Sequence, residues 1–203
     1  EPNDEVPIRK IELTCHGTRH LDRENPTARV TARLLPGNAT YDEIEWKAVT
    51  VFGIVTNIAK VEAYGTEAVV TALGDGEFRL RCIARNGRKT PQIVTELEFE
   101  ISGFGTTVTD PYEFVSAGLY NAGTATLRSG LLGGVQIPGD EMEYVGFRGL
   151  DFGDYGSDEI TIPIYHLGDD PVPVEIWEGV PGEEGAELIL RTIYHKKCIY
   201  ITY

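Results

Sequence analysis

Basic side chains are scarce in this sequence of 203 residues: 18 Lys and Arg stand against 32 Asp and Glu, a formal net charge of −14. Nucleic-acid binding relies on clustered Lys and Arg to neutralise phosphates, so this balance argues against such a partner. Cysteine is also rare. Cys15, Cys82 and Cys198 lie far apart, with no CxxC pair, which argues against a zinc site and a disulfide framework. A Cys15–Cys82 bridge stays open for an exported chain. No apolar run approaches the ~20 residues of a membrane-spanning helix. A basic-then-apolar leader is missing too, and a chain opening on Glu1-Pro2 is expected to be a processed or excised piece.

What is plentiful points to strands. The 16 Val, 17 Ile, 19 Thr and 19 aromatic residues make up 71 of the 203 positions, punctuated by 23 Gly and 11 Pro. These are the β-branched and flat side chains that fill a pleated surface, so the expected class is all-β. A hydrophobic content of 41% suffices for ordinary cores and excludes a disordered acidic chain. The acidity is uneven: 13 basic against 16 acidic side chains in residues 1–105, then 5 against 16 in residues 106–203. Between them Ser102-Gly103-Phe104-Gly105-Thr106-Thr107-Val108-Thr109-Asp110-Pro111 reads as a linker, and two β-sandwich domains are expected, 1–105 and 106–203.

In the first half, alternating runs separated by turn residues predict strands at Ile8–Leu13, Thr27–Leu34, Ile44–Val49, Ala59–Ala63, Glu67–Ala72, Glu77–Ala84 and Ile93–Ile101. Ala28, Val30, Ala32 and Leu34 share one face, as do Ile44, Trp46 and Ala48, which makes Trp46 the expected core aromatic. Gly74-Asp75-Gly76 reads as a hairpin turn, and Asn86-Gly87 as another turn. Asn38-Ala39-Thr40 has the form of a glycosylation sequon and is read as turn chemistry. Pro36-Gly37-Asn38-Ala39-Thr40, Ile44-Glu45-Trp46, Ile58-Ala59-Lys60-Val61 and the run Ala68 to Leu80 together resemble the bacterial Ig-like group 2 domain over about 100 residues. The resemblance implies a spacer or adhesive sandwich without catalysis.

The second half is richer in Gly and Asp. Strands are predicted at Tyr112–Gly118, Glu143–Phe147, Glu159–Tyr165, Val172–Trp177 and Glu187–Tyr194, joined by long loops in the manner of a jelly roll, with Pro163 and Pro173 at edges or bulges. The connected series from Gly139-Asp140 through Tyr144-Val145-Gly146-Phe147, Leu150-Asp151-Phe152-Gly153 and Gly156-Ser157-Asp158 is similar to the signature of family 6-like carbohydrate-binding modules. Glu175-Ile176-Trp177-Glu178-Gly179 and the closing Cys198-Ile199-Tyr200-Ile201-Thr202-Tyr203 continue it. Such a galactose-binding-like module, preceded by an Ig-like domain, resembles the C-terminal end of bacterial family 2 glycoside hydrolases of the β-galactosidase type. The resemblance implies binding or positioning of carbohydrate, a galactoside or a plant polysaccharide, beside the catalytic domains of a parent chain, with the compartment open between cytoplasm and export. It also implies a module cut short, because the family's usual end lies about 30 residues further on, and a homo-oligomer could supply the missing strand.

The candidate sugar residues are Tyr200, at a position where that family commonly has Trp, the Tyr120-Asn121 pair in a Gly- and Ala-rich loop, and Trp177 near a strand end. Aromatic faces stack on the apolar side of a pyranose while amides and carboxylates read its hydroxyls. The family's upstream aromatic falls on Val135-Gln136-Ile137 here. The best ionic reading is calcium at Asp151, Asp154 and Asp158 in a Gly-rich turn, although the spacing fits no EF-hand. Paired carboxylates such as Asp140/Glu141 and Asp169/Asp170 sit beside glycines as solvated turns rather than as a glycosidase pair. The histidines, His16, His20, His166 and His195, form no metal triad. No Gly-x-Ser-x-Gly elbow or phosphate loop occurs, so no catalytic residue is assigned. The alternative reading is a structural or oligomerisation module with a degenerate sugar cleft.

Overall fold

The computed structural model describes residues 5–86, 93–124, 128–129, 133–138, 142–166 and 168–196. Among these the protein is all-β, with one turn of 3-10 helix at Ala117–Leu119 and no α-helix. Eight strands make up the first half: β1 Lys10–His16, β2 His20–Leu21, β3 Thr27–Leu35, β4 Glu43–Val49, β5 Ala59–Tyr64, β6 Glu67–Ala72, β7 Gly76–Arg85 and β8 Ile93–Ile101. They form two four-stranded sheets, ordered β1-β3-β6-β5 and β2-β8-β7-β4. Neighbours are antiparallel except β2, which runs parallel to β8 with His20 opposite Glu100.

The period-2 pattern explains the packing. In β7, Phe78, Leu80 and Cys82 point inward and are buried, while Arg79 and Arg81 between them face out. Val30 and Val70 from one sheet join Trp46, Leu80 and Phe99 from the other in a single core, so the sheets pack face to face. Phe78 and Phe99 stack with ring centroids 5.2 Å apart. Trp46 is 7% exposed, as its alternation predicted. Its indole N–H, which would be costly to bury unpaired, donates to the Gly65 carbonyl at 2.9 Å. On the outer face of β7, Arg79 and Arg81 pair with Glu96 of β8, and Arg85 pairs with Glu45 of β4.

The turn at Gly74-Asp75-Gly76 corrects an expectation. It is not a hairpin, because β6 pairs with β3 and β5 whereas β7 pairs with β4 and β8. The chain crosses there from one sheet to the other, and the Asp75 carboxylate accepts from the backbone N–H of Phe104 (2.8 Å) and of Gly105 (3.0 Å). The Asn86-Gly87 turn extends outside the described residues. The Cys15–Cys82 bridge does not form: both thiols are free, on strands of different sheets, with Cys82 sealed in the core.

Among the described residues of the second half, strands pair in three separate two-stranded ladders. These are β9 Ala122–Gly123 with β12 Val145–Gly146, β10 Arg128–Ser129 with β11 Val135–Gln136, and β13 Val172–Glu178 with β14 Glu187–Tyr194. The last hairpin matches the sequence pattern closely. Tyr112–Gly118, expected as a strand, instead forms turns and the 3-10 turn; Pro111 gives no N–H, and the Asp110 carboxylate takes the Tyr112 N–H at 2.9 Å. Glu159–Tyr165 likewise runs without a ladder, with Pro163 interrupting its donors. The Glu143–Phe147 strand shrinks to Val145–Gly146.

The linker is tied down at several points. Besides the Asp75 contacts, Arg23 donates to the Gly103 carbonyl and lies 5.5 Å from the Phe104 ring centroid, and Asn57 donates to the Thr109 hydroxyl at 2.9 Å. Ile54, in the loop after β4, packs where Gly118 and Gly133 meet. A Cβ at Gly118 would stand 2.3 Å from the Gly133 carbonyl oxygen and 2.6 Å from Ile54, so only glycine permits that approach.

Candidate functional site

Trp177 lies on β13, where it shares a face with Glu175 across one intervening residue. The half-buried indole donates its N–H to one Glu175 carboxylate oxygen at 2.8 Å, and the other oxygen accepts from Arg191 Nε of β14 at 2.8 Å. Register explains the triplet: Glu175 stands opposite Arg191, and a bulge between Ile176 and Trp177 brings Leu188 opposite the indole. An aromatic ring is thereby set beside a carboxylate and a guanidinium, the mix of stacking face and hydrogen-bonding groups that a sugar ring engages.

The opposite side of this hairpin is apolar. Ile160, Ile162, Ile164, Val174, Ile176 and Leu190 line an open groove of about 210 Å³. Ile160 is 60% exposed and Ile193 56%. Nearby the His166 and Tyr194 rings meet edge to face, and the Tyr194 hydroxyl donates to the Ile164 carbonyl at 3.3 Å.

Tyr120 caps the 3-10 turn, half-buried, its N–H donating to the Ala117 carbonyl at 3.2 Å. Asn121 is exposed, yet its amide grips backbone: Oδ1 accepts from Arg148 N–H at 2.6 Å and Nδ2 donates to the Arg148 carbonyl at 3.0 Å. This clasp fixes the chain after β12. The fold therefore does not bring Tyr120 and Asn121 together with Trp177 in one ladder; they belong to the β9–β12 region. Tyr200 lies outside the described residues.

Asp151, Asp154 and Asp158 are all exposed, and among the described residues no three metal-ligating side chains gather into a group. The Asp151 carboxylate accepts the Gly153 N–H at 2.8 Å. The loop is organised by Tyr112, whose hydroxyl reaches the carbonyls of Phe152 and Gly156, each at 2.8 Å, while its ring meets Phe152 edge-on. Tyr155 at the loop tip is 100% exposed.

Sequence reasoning missed a constellation in the first half. His20 Nδ1 lies 3.1 Å from Glu100 Oε2, and His20 Nε2 lies 2.9 Å from the Ser102 hydroxyl. Glu100 and Ser102 stand 80 and 82 positions from His20 in the chain and are brought to it by the parallel β2–β8 pairing. No local motif announces such a contact.

Several groups have acidities shifted by their surroundings. Burial alone pushes the Cys82 thiol up to about 12, so it stays protonated and inert. Burial also raises Cys15, whose thiol reaches the Thr18 carbonyl at 3.7 Å. Glu45 is held below the usual carboxylate range by its bond to Lys47 and, after that, to Arg85. Asp22 is lowered chiefly by the Asn25 backbone N–H, with Glu24 adding to it. No protein-family model matches the chain, and the curated proteins compared with it give no match.

Proposed function

We propose that the chain is an accessory segment of a β-galactosidase-like glycoside hydrolase, in which an Ig-like sandwich carries a second half that binds or positions carbohydrate. The observation that carries the reading is the Trp177, Glu175 and Arg191 arrangement, an indole whose N–H is held by a carboxylate that a guanidinium holds in turn, on a surface hairpin. The sheet order β1-β3-β6-β5 against β2-β8-β7-β4 supports the Ig-like part, since it is the A-B-E-D and G-F-C arrangement of such sandwiches with an extra first-strand segment beside the last strand. The exposed Tyr155 offers a further stacking face.

Titration against galactosides, xylan and β-glucan, followed by tryptophan fluorescence and calorimetry, tests this. Binding of one class, weakened about tenfold by Trp177→Ala, supports it. No response to any sugar overturns it. The second reading, a structural or oligomerisation module, is favoured by the Asn121 amide, whose oxygen and nitrogen both hold the Arg148 backbone, and by the apolar groove on the hairpin. Concentration-dependent dimerisation in sedimentation, lost in Ile162→Asp, with no sugar binding, would establish it.

A further inference from the structure

We infer that Ser102, His20 and Glu100 form a nucleophilic relay able to cleave unhindered acyl esters at the edge of the first sandwich. Hydrogen-bond chemistry orders it. A carboxylate oxygen of Glu100 faces His20 Nδ1 at 3.1 Å and pairs with the tautomer that carries its proton there. In that tautomer Nε2 presents its lone pair to the Ser102 hydroxyl at 2.9 Å, which donates. Nucleophile, base and orienting carboxylate therefore stand in the order that activates serine, recognised by geometry and not by sequence position.

Backbone bonds hold each member in place. The His20 N–H donates to the Thr18 hydroxyl at 3.0 Å, and that hydroxyl donates to the His20 carbonyl at 3.1 Å. Glu100 N–H donates to Arg19 O and Ser102 N–H to Leu21 O, both at 3.0 Å. Directly after the serine, Gly103 turns the chain with φ +85°, a conformation that favours glycine, and its N–H has no partner among the described residues. That N–H, on the residue following the nucleophile, is placed to donate to a developing oxyanion. The relay lies open to solvent, so the substrate class is an ester whose acyl group is not enclosed.

In the first step Ser102 Oγ bonds to the ester carbonyl carbon and its proton passes to His20 Nε2. Collapse breaks the bond to the alkoxy oxygen, which leaves as alcohol with that proton. Water then attacks the acyl-serine, gives a proton to His20, and the carboxylic acid departs as Ser102 recovers its own. The balance is ester plus water to acid plus alcohol. Glu100 acts through His20 and is a positioning residue.

The test treats the full chain with p-nitrophenyl acetate and, separately, with a fluorophosphonate whose P–F bond is exchanged for Oγ–P, and maps adducts by mass spectrometry. The relay requires an adduct on Ser102, its loss in Ser102→Ala, a labelling rate about tenfold or more lower in His20→Gln, and in Glu100→Gln a fall in kcat with KM unchanged. As a second check, the thiol of a Ser102→Cys variant should be alkylated by iodoacetamide faster than in the same variant also carrying His20→Gln. Adducts only on other residues, ester hydrolysis undiminished in Ser102→Ala, or equal alkylation of the two thiols overturns the inference. Sugar titrations are read separately, so either proposal can fail alone.

Discussion

Trp46 shows how one residue couples local pattern to the core. Its ring is buried by strand alternation, but its N–H is satisfied only because the β5–β6 turn presents the Gly65 carbonyl. Trp46→Phe keeps most of the apolar volume and deletes the donor, so urea denaturation should show a loss of about 1–3 kcal/mol. Glu45 sets a pH dependence. Because Lys47 and Arg85 hold its folded-state pKa below the ordinary glutamate value of 4.5, the unfolded chain takes up the proton more readily. Its stabilising contribution is present above pH 4.5 and is lost as pH falls through the lowered folded value. Thermal melts between pH 6 and 3 should show that decline, and Glu45→Gln should make it shallower. The position of Trp46 in the core was legible from alternation. Its partner was not, since a turn carbonyl 19 residues away leaves no mark in the sequence.

Among the elements, β3, β6, β7 and β8 lie close to where alternation and turn residues predicted them, because each buries one face and a one-residue slip would expose it. β13 and β14 were equally legible, yet among the described strands they pair only with each other. A two-stranded ladder with apolar side chains such as Ile189, 63% exposed, on view is marginal by itself. Hydrogen exchange followed by mass spectrometry should therefore find the β13–β14 amides exchanging about a hundredfold or more faster than those of β7, which has a partner on each side and three buried side chains in a row at Cys82, Ile83 and Ala84. Protection equal to that of β7 would mean that the hairpin is covered in solution. The failed strands at Tyr112–Gly118 and Glu159–Tyr165 share a cause: both have suitable side chains, but proline and side-chain caps remove donors that a ladder needs.

Across the whole molecule, Asp75 links the sheet crossover to the linker. Its two carboxylate oxygens hold consecutive N–H groups of Phe104 and Gly105, and its own N–H donates to the Gly105 carbonyl at 2.8 Å. A Gly- and Thr-rich segment that composition alone marks as a loose joint is fastened to the sandwich. Asp75→Ala should leave the first half folded while limited proteolysis cuts faster within residues 102–110, read by mass spectrometry of the fragments. An unchanged cleavage rate would show that Arg23 and Asn57 suffice. The charge asymmetry bears on the same scale: the nearly balanced first half uses many of its charges in cross-strand pairs such as Arg81–Glu96, whereas in the acidic second half carboxylates such as Asp151, Asp154 and Asp158 lie exposed in a loop.

By itself the sequence determined the all-β class, the approximate positions of seven of the eight strands in the first half (all but β2) and the face that those strands bury, because β-branched alternation and turn residues act over a few neighbours. Only the tertiary structure decided which strands pair, that Gly74-Asp75-Gly76 crosses between sheets, and that Asn121 clasps Arg148. It alone brought His20, Glu100 and Ser102 into one hydrogen-bonded row. Those contacts join residues tens of positions apart, and their geometry comes from the registry of packed sheets rather than from any local preference of the chain.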